Sequence, residues 1–398
     1  PSQTVNAVST DTRNISEAAL FVALVGERFD AHDFLQTAIE AKASALLVSR
    51  VPEEIGAFPI ILVEDTLTGL QQLARSYRRL LSTRAVFITG SILRTDPKDD
   101  FGIWEIGMNH PGETAPLAEI AAADIGVITN IGTAHIGNMG SREAIAQEKG
   151  MLAESLTKEG VLVLNANDEF TSSISARTSA RVVTAGIDAG DVRATNLEML
   201  ENGTAFDLIA QGEMARVTLP IPGRHMVSNA LLAAAVGIKA GLPLQEITQA
   251  LATVHLTPGR LQMLEHDGVR VINDAYNANP DSMRASLATV GAMRTGGKRF
   301  AILGQMGELG DSSEQAHREI GQLAMSEGFD HICSVSDGAQ GITEGLSASA
   351  GQAIHHFPSQ EEAAAFLKQN AKPGDLVLLK GSRSAAMDTI YQLYAASP

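Results

Sequence analysis

The chain has 398 residues, more than one hydrophobic core ordinarily organises, so two or three domains are expected. Hydrophobic residues make up 44% and charged residues 19%, an ordinary globular balance, while a formal net charge of −16 without basic clusters argues against a nucleic-acid footprint. The lone Cys333 excludes an intrachain disulfide and fits a reducing, cytoplasmic setting, and the most apolar helix candidate, "NALLAAAVGIKAGL", is too short to span a membrane and carries Lys239.

Short apolar runs alternate with amphipathic stretches, the pattern of parallel α/β architecture. In the first third, "ALFVAL", "ALLVSR" and "PIILVED" read as strands, with a helix around "FLQTAIEAKA". "DTLTGLQQLARSYRRLL" reads as a long helix with Asp65 or Thr66 as its N-cap. A second unit runs through strands at "AVFITG", "FGIWEIG", "IGVITNI" and "GVLVLNAND", and then through a Thr/Val-rich stretch, 191–219, that suits antiparallel strands. It closes on a helix entered near Ser228. A third unit carries strands at "VRVINDAY", "RFAILGQ", "HICSVS" and "DLVLLKG", each alternating with a helix. These shifts place domain boundaries near 83 and 257, dividing the chain into 1–83, 84–256 and 257–398.

The segment "VFITGSILRTD" begins as a buried strand whose end, Thr89-Gly90-Ser91, has the form of the turn that opens a phosphate-binding loop. Such a loop continues to Gly-Lys-Thr/Ser and a helix, with backbone N–H groups and the lysine around the phosphates. Here Ile92-Leu93-Arg94 follows at once. If "AVFITG" and "FGIWEIG" are parallel neighbours, a crossover of about a dozen residues or more must join them, and "SILRTDPKDD" is all that lies between Gly90 and Phe101. The expectation is a break between Ser91 and Ile92 with residues missing there; a long-looped antiparallel hairpin is the alternative.

Several strand-to-helix loops carry residues suited to chemistry. "WEIGMNHPGE" puts Glu105 near a strand's C-terminal end, and "TNIGTAHIGNMGS" puts His135 in a glycine-rich loop after another. A carboxylate and an imidazole on neighbouring loops make a metal site credible, although each alone also fits a solvated loop. In "SREAIAQEKGMLAESL", Lys149 shares a helix face with Ile145, Leu152 and Leu156. A charged amine there is costly, so it either snorkels to solvent or is held near a site, neutral or chemically modified. His225 and Asn229 fall at the first turn of the "SNALLAAA" helix, where exposed N–H groups favour anions or polar ring edges, and where simple capping is also possible. Arg260 sits on the turn of "TPGRLQ", free to clamp a phosphate or to face solvent. "VINDAYNANPDSM" ends a strand with Asp274, Tyr276, Asn277 and Asn279, more polar than a plain turn needs. Lys380 and Arg383 flank Gly381-Ser382 ahead of a helix, an arrangement suited to a carboxylate or phosphate.

"DTRNISEAALFVALVGERFDAHDF", "WEIGMNHPGE", "PGRHMVSNALLAAA", "PGRL", "DAYNANPDSM", "MGELG" and "KGSRSAAMD" occur in the order found in the Mur ligases, and the chain resembles that family over nearly its whole length. The resemblance implies three α/β domains: a small N-terminal one for the UDP end of the substrate, a central mostly parallel P-loop-type ATPase domain, and a C-terminal Rossmann-like domain. It implies an ATP- and Mg2+-dependent ligase joining D-alanyl-D-alanine to UDP-N-acetylmuramoyl-tripeptide through an acyl phosphate, in peptidoglycan precursor synthesis, as a cytoplasmic monomer. It carries Glu105, His135 and a carbamylated Lys149 over as magnesium ligands and, with Arg260, as the catalytic set. Thr89, Gly90, Ser91, Asn229, Arg260, Asp274, Tyr276 and Asn277 become the ATP site, with Asn229 toward adenine and Asp274 toward ribose. Thr12, Arg13, Arg28, Asp30 and His32 become the UDP end, and Lys380, Ser382 and Arg383 lie near the peptide substrates. The sequence departs from the family in lacking the Gly-Lys-Thr/Ser loop and the asparagine-rich loop after it, in Met226 where asparagine is usual, and in Gln305 where aspartate is usual. A Mur-like binder of UDP-sugar peptides without catalysis, and a sister ligase adding another amino acid, are the competing readings.

Overall fold

The computed structural model describes residues 4–26, 29–51, 55–81, 84–86, 95–96 and 98–396. The chain forms two compact units, one of Pro1–Met108, Gly112–Gly126 and Ser155–Gly160, the other of Asn109–Pro111, Val127–Glu154 and Val161–Pro398. Among the described residues no helix is long and apolar enough to cross a membrane.

The first unit opens with a parallel sheet in the order β1 (Ala7–Ser9), β2 (Ala19–Val22), β3 (Ala45–Val48), β4 (Ile60–Leu62). Both central strands are buried throughout because each face has its own cover. Side chains alternate between faces, so Phe21, Leu46 and Val48 pack with Leu35 and Ala38 of the helix Leu35–Glu40, while Leu20, Val22 and Leu47 pack against Leu70 and Leu73 of the helix Thr66–Arg78. Asp65 caps that second helix, its carboxylate accepting from the Thr68 N–H at 2.7 Å. Next, β5 (Arg84–Val86) and β6 (Phe101–Ile103) pair in parallel, Val86 opposite Ile103, so the connection between them is a crossover and the hairpin alternative falls. The expected strand end and turn at Thr89, Gly90 and Ser91, and the break expected after Ser91, lie outside the described residues. β7 (Ile125–Ile128) begins beside β5, Ile125 opposite Val86.

In the second unit, β8 (Val161–Asn165), β9 (Arg181–Ile187) and β10 (Val192–Leu200) are parallel neighbours. β11 (Gly203–Ala210) and β12 (Glu213–Leu219) then extend the sheet as the antiparallel meander that the Thr/Val-rich stretch suggests. The helix Arg224–Ala240 packs its Val227, Ala230, Leu231, Ala234 and Ala235 face over β8, β9 and β10. It starts four residues before Ser228. Gly223, at φ 110°, turns the chain there, and its carbonyl accepts the N–H groups of Met226 and Val227. His225 therefore stands in the first turn and Asn229 one turn further along, a correction to the expected helix entry.

The remaining sheet has the order β13 (Gln262–His266), β14 (Val269–Asn273), β18 (Leu376–Lys380), β15 (Arg299–Leu303), β16 (His331–Val335), β17 (Ala353–Phe357). All neighbours are parallel except the hairpin β13–β14. Asp267 and Gly268 both take positive φ at that hairpin, the twist a two-residue connection requires. Asn273 pairs with Leu379, and Leu303 with Lys380. The loops after β14, β15 and β18 consequently leave the sheet together at its C-terminal edge, where ligands bind in α/β folds.

Candidate active site

In the first unit, the expected UDP-end residues divide into braces and exposed groups. Asp11 caps the turn Thr12–Asn14 and holds the Arg13 guanidinium by two-oxygen contact, with Arg13 itself exposed. His32 is buried, and both its nitrogens are engaged: Nδ1 meets Asp30 at 2.7 Å and Nε2 accepts the Ser49 N–H at 3.0 Å. The ring proton therefore sits on Nδ1, and His32 acts as a brace beneath Asp30 instead of presenting an edge to a ligand. Asp30 also binds the exposed Arg50 at 2.7 Å; Arg28 lies outside the described residues. The His32 N–H, then Arg50 and the His32 ring, hold the Asp30 carboxyl down from 3.8 to about 2. A depressed carboxylate stabilises the fold above its unfolded pKa and loses that contribution as pH falls through the folded value. Asp30→Asn is thus expected to lower the unfolding midpoint at neutral pH, the difference closing between pH 3.8 and about 2; melting curves across that window test it. Glu105 is exposed just beyond β6, in this unit.

In the second unit, the loop after β7 is fixed at nearly every residue. Asn165 Nδ2 donates to the Thr129 carbonyl, Lys149 Nζ to the Asn130 carbonyl at 2.8 Å, and Arg142 to the Ile131 carbonyl at 2.8 Å. Asp168 accepts the Ile131 N–H at 2.6 Å. Thr133 donates its N–H and hydroxyl to Asp281, while His135, at φ 62°, sets its Nδ1 against the Glu308 carboxylate. Lys149 closes the helix Arg142–Lys149 and reaches the loop end; it does not snorkel away. Burial depresses its pKa, against the opposing pull of Asp168 and Asp281, which favours the neutral amine that carbon dioxide can add to.

A cavity of about 450 Å³ opens between the helix Arg224–Ala240 and the C-terminal sheet edge, lined among others by His225, Asn229, Arg260, Asp274, Tyr276 and Lys380. The exposed Arg260 guanidinium lies over the Tyr276 ring, 4.2 Å from its centroid, a stacked arrangement that leaves its N–H edge for an anion. Asp274 is the hub below. Oδ1 accepts the Leu261 N–H at 3.0 Å, and Oδ2 accepts from Lys380 Nζ at 2.6 Å and from the Ser286 hydroxyl. One lone pair of Oδ1 remains for a ligand hydroxyl. Lys380 also donates to the Asn277 carbonyl at 3.0 Å; its buried ammonium thus ties the loop after β14 to the end of β18 and belongs to this cavity. Burial lowers its pKa, partly countered by Asp274, and burial likewise lowers that of His225. Asn279 is the N-cap of the helix Pro280–Ala292, in a reciprocal box with Ser282, so its amide serves the fold. The buried Ser382 hydroxyl pairs with Ser384 at 3.1 Å, and Arg383 is exposed beside it.

Asp168, Asp281, Ser286 and Glu308 were not among the residues singled out from the sequence. Asp168 had a visible signal, an acidic residue just past a buried strand in "VLVLNAND"; the others take meaning only from tertiary neighbours. Among the described residues no group of three or more His, Cys, Asp or Glu side chains gathers as a cation site. Lys149, as a free amine donating to Asn130, is no ligand. The donor set therefore does not fit a metal without a change in that lysine.

Residues 83–237 match the family model described as Mur ligase middle domain, and residues 259–383 that described as Mur ligase, glutamate ligase domain. The chain is 32% identical to UDP-N-acetylmuramoyl-tripeptide–D-alanyl-D-alanine ligase of Bacillus subtilis over 434 aligned positions, covering 99% of this chain and 94% of the relative. Its structure is similar to the crystal structure of MurF from Acinetobacter baumannii, with a TM-score of 0.90, 29% identity and coverage of 99% and 94%. It also shares its fold with MurF from Thermotoga maritima, solved in complex with ADP, at a TM-score of 0.85, 24% identity and coverage of 98% and 97%. The chain belongs to the Mur ligase family, on the branch whose curated members are named UDP-N-acetylmuramoyl-tripeptide–D-alanyl-D-alanine ligase.

Proposed function

We propose that the chain joins D-alanyl-D-alanine to UDP-N-acetylmuramoyl-tripeptide at the expense of ATP, making the peptidoglycan precursor. The observation that carries this is the likeness to relatives of that name across 99% of the chain. A carboxylate resists an amine until one oxygen becomes a good leaving group. Phosphoryl transfer from ATP to the tripeptide carboxylate makes that group; the dipeptide amine attacks the acyl carbon, and phosphate leaves from the tetrahedral intermediate as the C–N bond forms and the amine gives up its proton. The work of the protein is to bring two anions together and orient them.

In this reading the cavity around Asp274 takes the nucleotide. Asn229 faces adenine, the free lone pair of Asp274 takes a ribose hydroxyl, Tyr276 and Asn277 line the site, and Arg260 meets the phosphates. Met226 offers only a thioether beside Asn229, its Sδ 3.9 Å from the amide nitrogen, so adenine recognition rests more on Asn229 here. Were Lys149 a carbamate, it and His135 would be the second unit's candidates to hold a Mg2+ accompanying ATP, which would supply screening of the phosphate charge. Thr12, Arg13, Arg28 and Asp30 serve the UDP end, and Ser382 and Arg383 the peptide end. The three functional domains are 1–83, 84–256 and 257–398, in a cytoplasmic monomer.

A second reading, a non-catalytic binder of the UDP-linked peptide, draws on one feature: no Gly-Lys-Thr/Ser stands between β5 and β6. The alignment with the B. subtilis relative runs 434 positions for a chain of 398, so the relative holds residues with no counterpart here. If the protein carries further residues after Ser91, its intact mass exceeds 41.9 kDa by a few kDa. A mass equal to 41.9 kDa overturns the break and favours the binder. Phosphate release that requires both peptide substrates tests the ligase itself.

A further inference from the structure

We propose that Asp281 is a positioning residue for the ligation, docking the loop that bears His135 onto the helix that walls the nucleotide cavity. The proposal rests on the ligase reading for its function, and on geometry for the contact. Asp281 stands in the first turn of the helix Pro280–Ala292, yet it does not cap that helix, because Asn279 does. Its Oδ2 instead accepts two hydrogen bonds from one residue, the Thr133 N–H at 2.6 Å and the Thr133 hydroxyl at 2.8 Å. Arg284 steadies the other oxygen at 3.3 Å and is itself held by Glu319 at 3.0 Å. The approach depends on Gly132, where a Cβ would stand 2.6 Å from Asp281 Oδ2.

A second contact shows that the loop is shaped for this docking. The Gly137 N–H donates to the Glu308 carbonyl at 3.0 Å, and a Cβ on Gly137 would meet that oxygen at 2.7 Å and the Gly310 nitrogen at 2.8 Å. On its own side the loop is already braced by Asp168, Arg142 and Lys149. Asp281 is thus the link that fixes those braces relative to Ser282 and Ser286, cavity-lining residues of its own helix, the second of them bonded to the Asp274 hub. Through that link the spacing between the nucleotide phosphates and the Lys149–His135 side is set.

The test compares Asp281→Ala and Asp281→Asn in the full chain, reading amide hydrogen exchange across 131–135 and steady-state kinetics. Loss of a charge-assisted bond of about 1.5–3 kcal/mol raises exchange at Thr133 about 12- to 140-fold. In Asp281→Ala both that rise and a matching fall in kcat are expected, with KM for ATP little moved. Asp281→Asn keeps an acceptor oxygen toward Thr133 and restores most of both. Unchanged Thr133 exchange in the alanine variant overturns the contact, and faster exchange with wild-type kcat overturns the positioning role. An asparagine variant as impaired as alanine also overturns it, since the carboxylate's charge near Lys149 would then be what matters. Should no variant or parent turn over, the ligase reading has failed, while exchange at Thr133 still decides the contact.

Discussion

Replacing Lys380 with methionine is expected to destabilise the second unit by about 3–5 kcal/mol, the range for removing one partner of a buried ion pair. The side chains of Lys380 and Asp274 are only 3% and 13% exposed, and the ammonium is the close cationic partner of that carboxylate at 2.6 Å. Methionine fills the space but leaves Asp274 charged in a poorly solvated place, and it frees the Asn277 carbonyl that anchors the loop after β14. Nucleotide binding should weaken alongside, because Tyr276 lies on that loop and the Arg260 guanidinium stacks on its ring. Urea unfolding of the single variant and of Lys380→Met/Asp274→Asn separates the causes. The double variant should recover part of the loss, since no unpaired charge remains. A single variant within about 1 kcal/mol of the parent, the size of an ordinary exposed pair, would show that the pair does not hold the site.

Lys149→Met should do the opposite: leave the fold intact and remove turnover. The amine sits where burial disfavours its charge, one turn beyond the buried Ile145. An unbranched apolar side chain of similar length suits that stripe, and the exposed Asn130 carbonyl it releases can turn to water. The melting midpoint should therefore stay level or rise. Turnover should fall by about 10²–10³, the usual effect of deleting one preorganised electrostatic group. A variant that melts much earlier than the parent, or one that keeps its turnover, contradicts the assignment.

Much of the scaffold was legible because its periodicities are strong. β2, β3 and β18 are continuous apolar runs buried on both faces, and Asp65 marks its helix start chemically. β13 was missed because Glu265 is exposed and Gln262, Leu264 and His266 are only half-buried, giving an edge strand without an apolar run. The Asp267-Gly268 pair was the signal that could have revealed it. The start of the helix at Arg224 was misplaced because Ser228 resembles a cap, whereas the actual turn is made by the backbone freedom of Gly223. At the site, the strand-end positions of Asp274 and Lys380 could be read, but not their bond to each other across 106 residues. The same holds for Thr133 and Asp281, separated by 148 residues. His32 misled for a related reason: its residue type suits ligand binding, and only burial reveals that both nitrogens are engaged.

Ligase activity is tested most directly by phosphate release from ATP by the protein isolated from its source, with each peptide substrate supplied alone and then together. Release is expected only when UDP-N-acetylmuramoyl-tripeptide and D-alanyl-D-alanine are both present, with one phosphate formed per amide bond. Tight binding of the UDP-linked tripeptide with no phosphate release under any combination would contradict it and leave a binding protein built on a ligase scaffold.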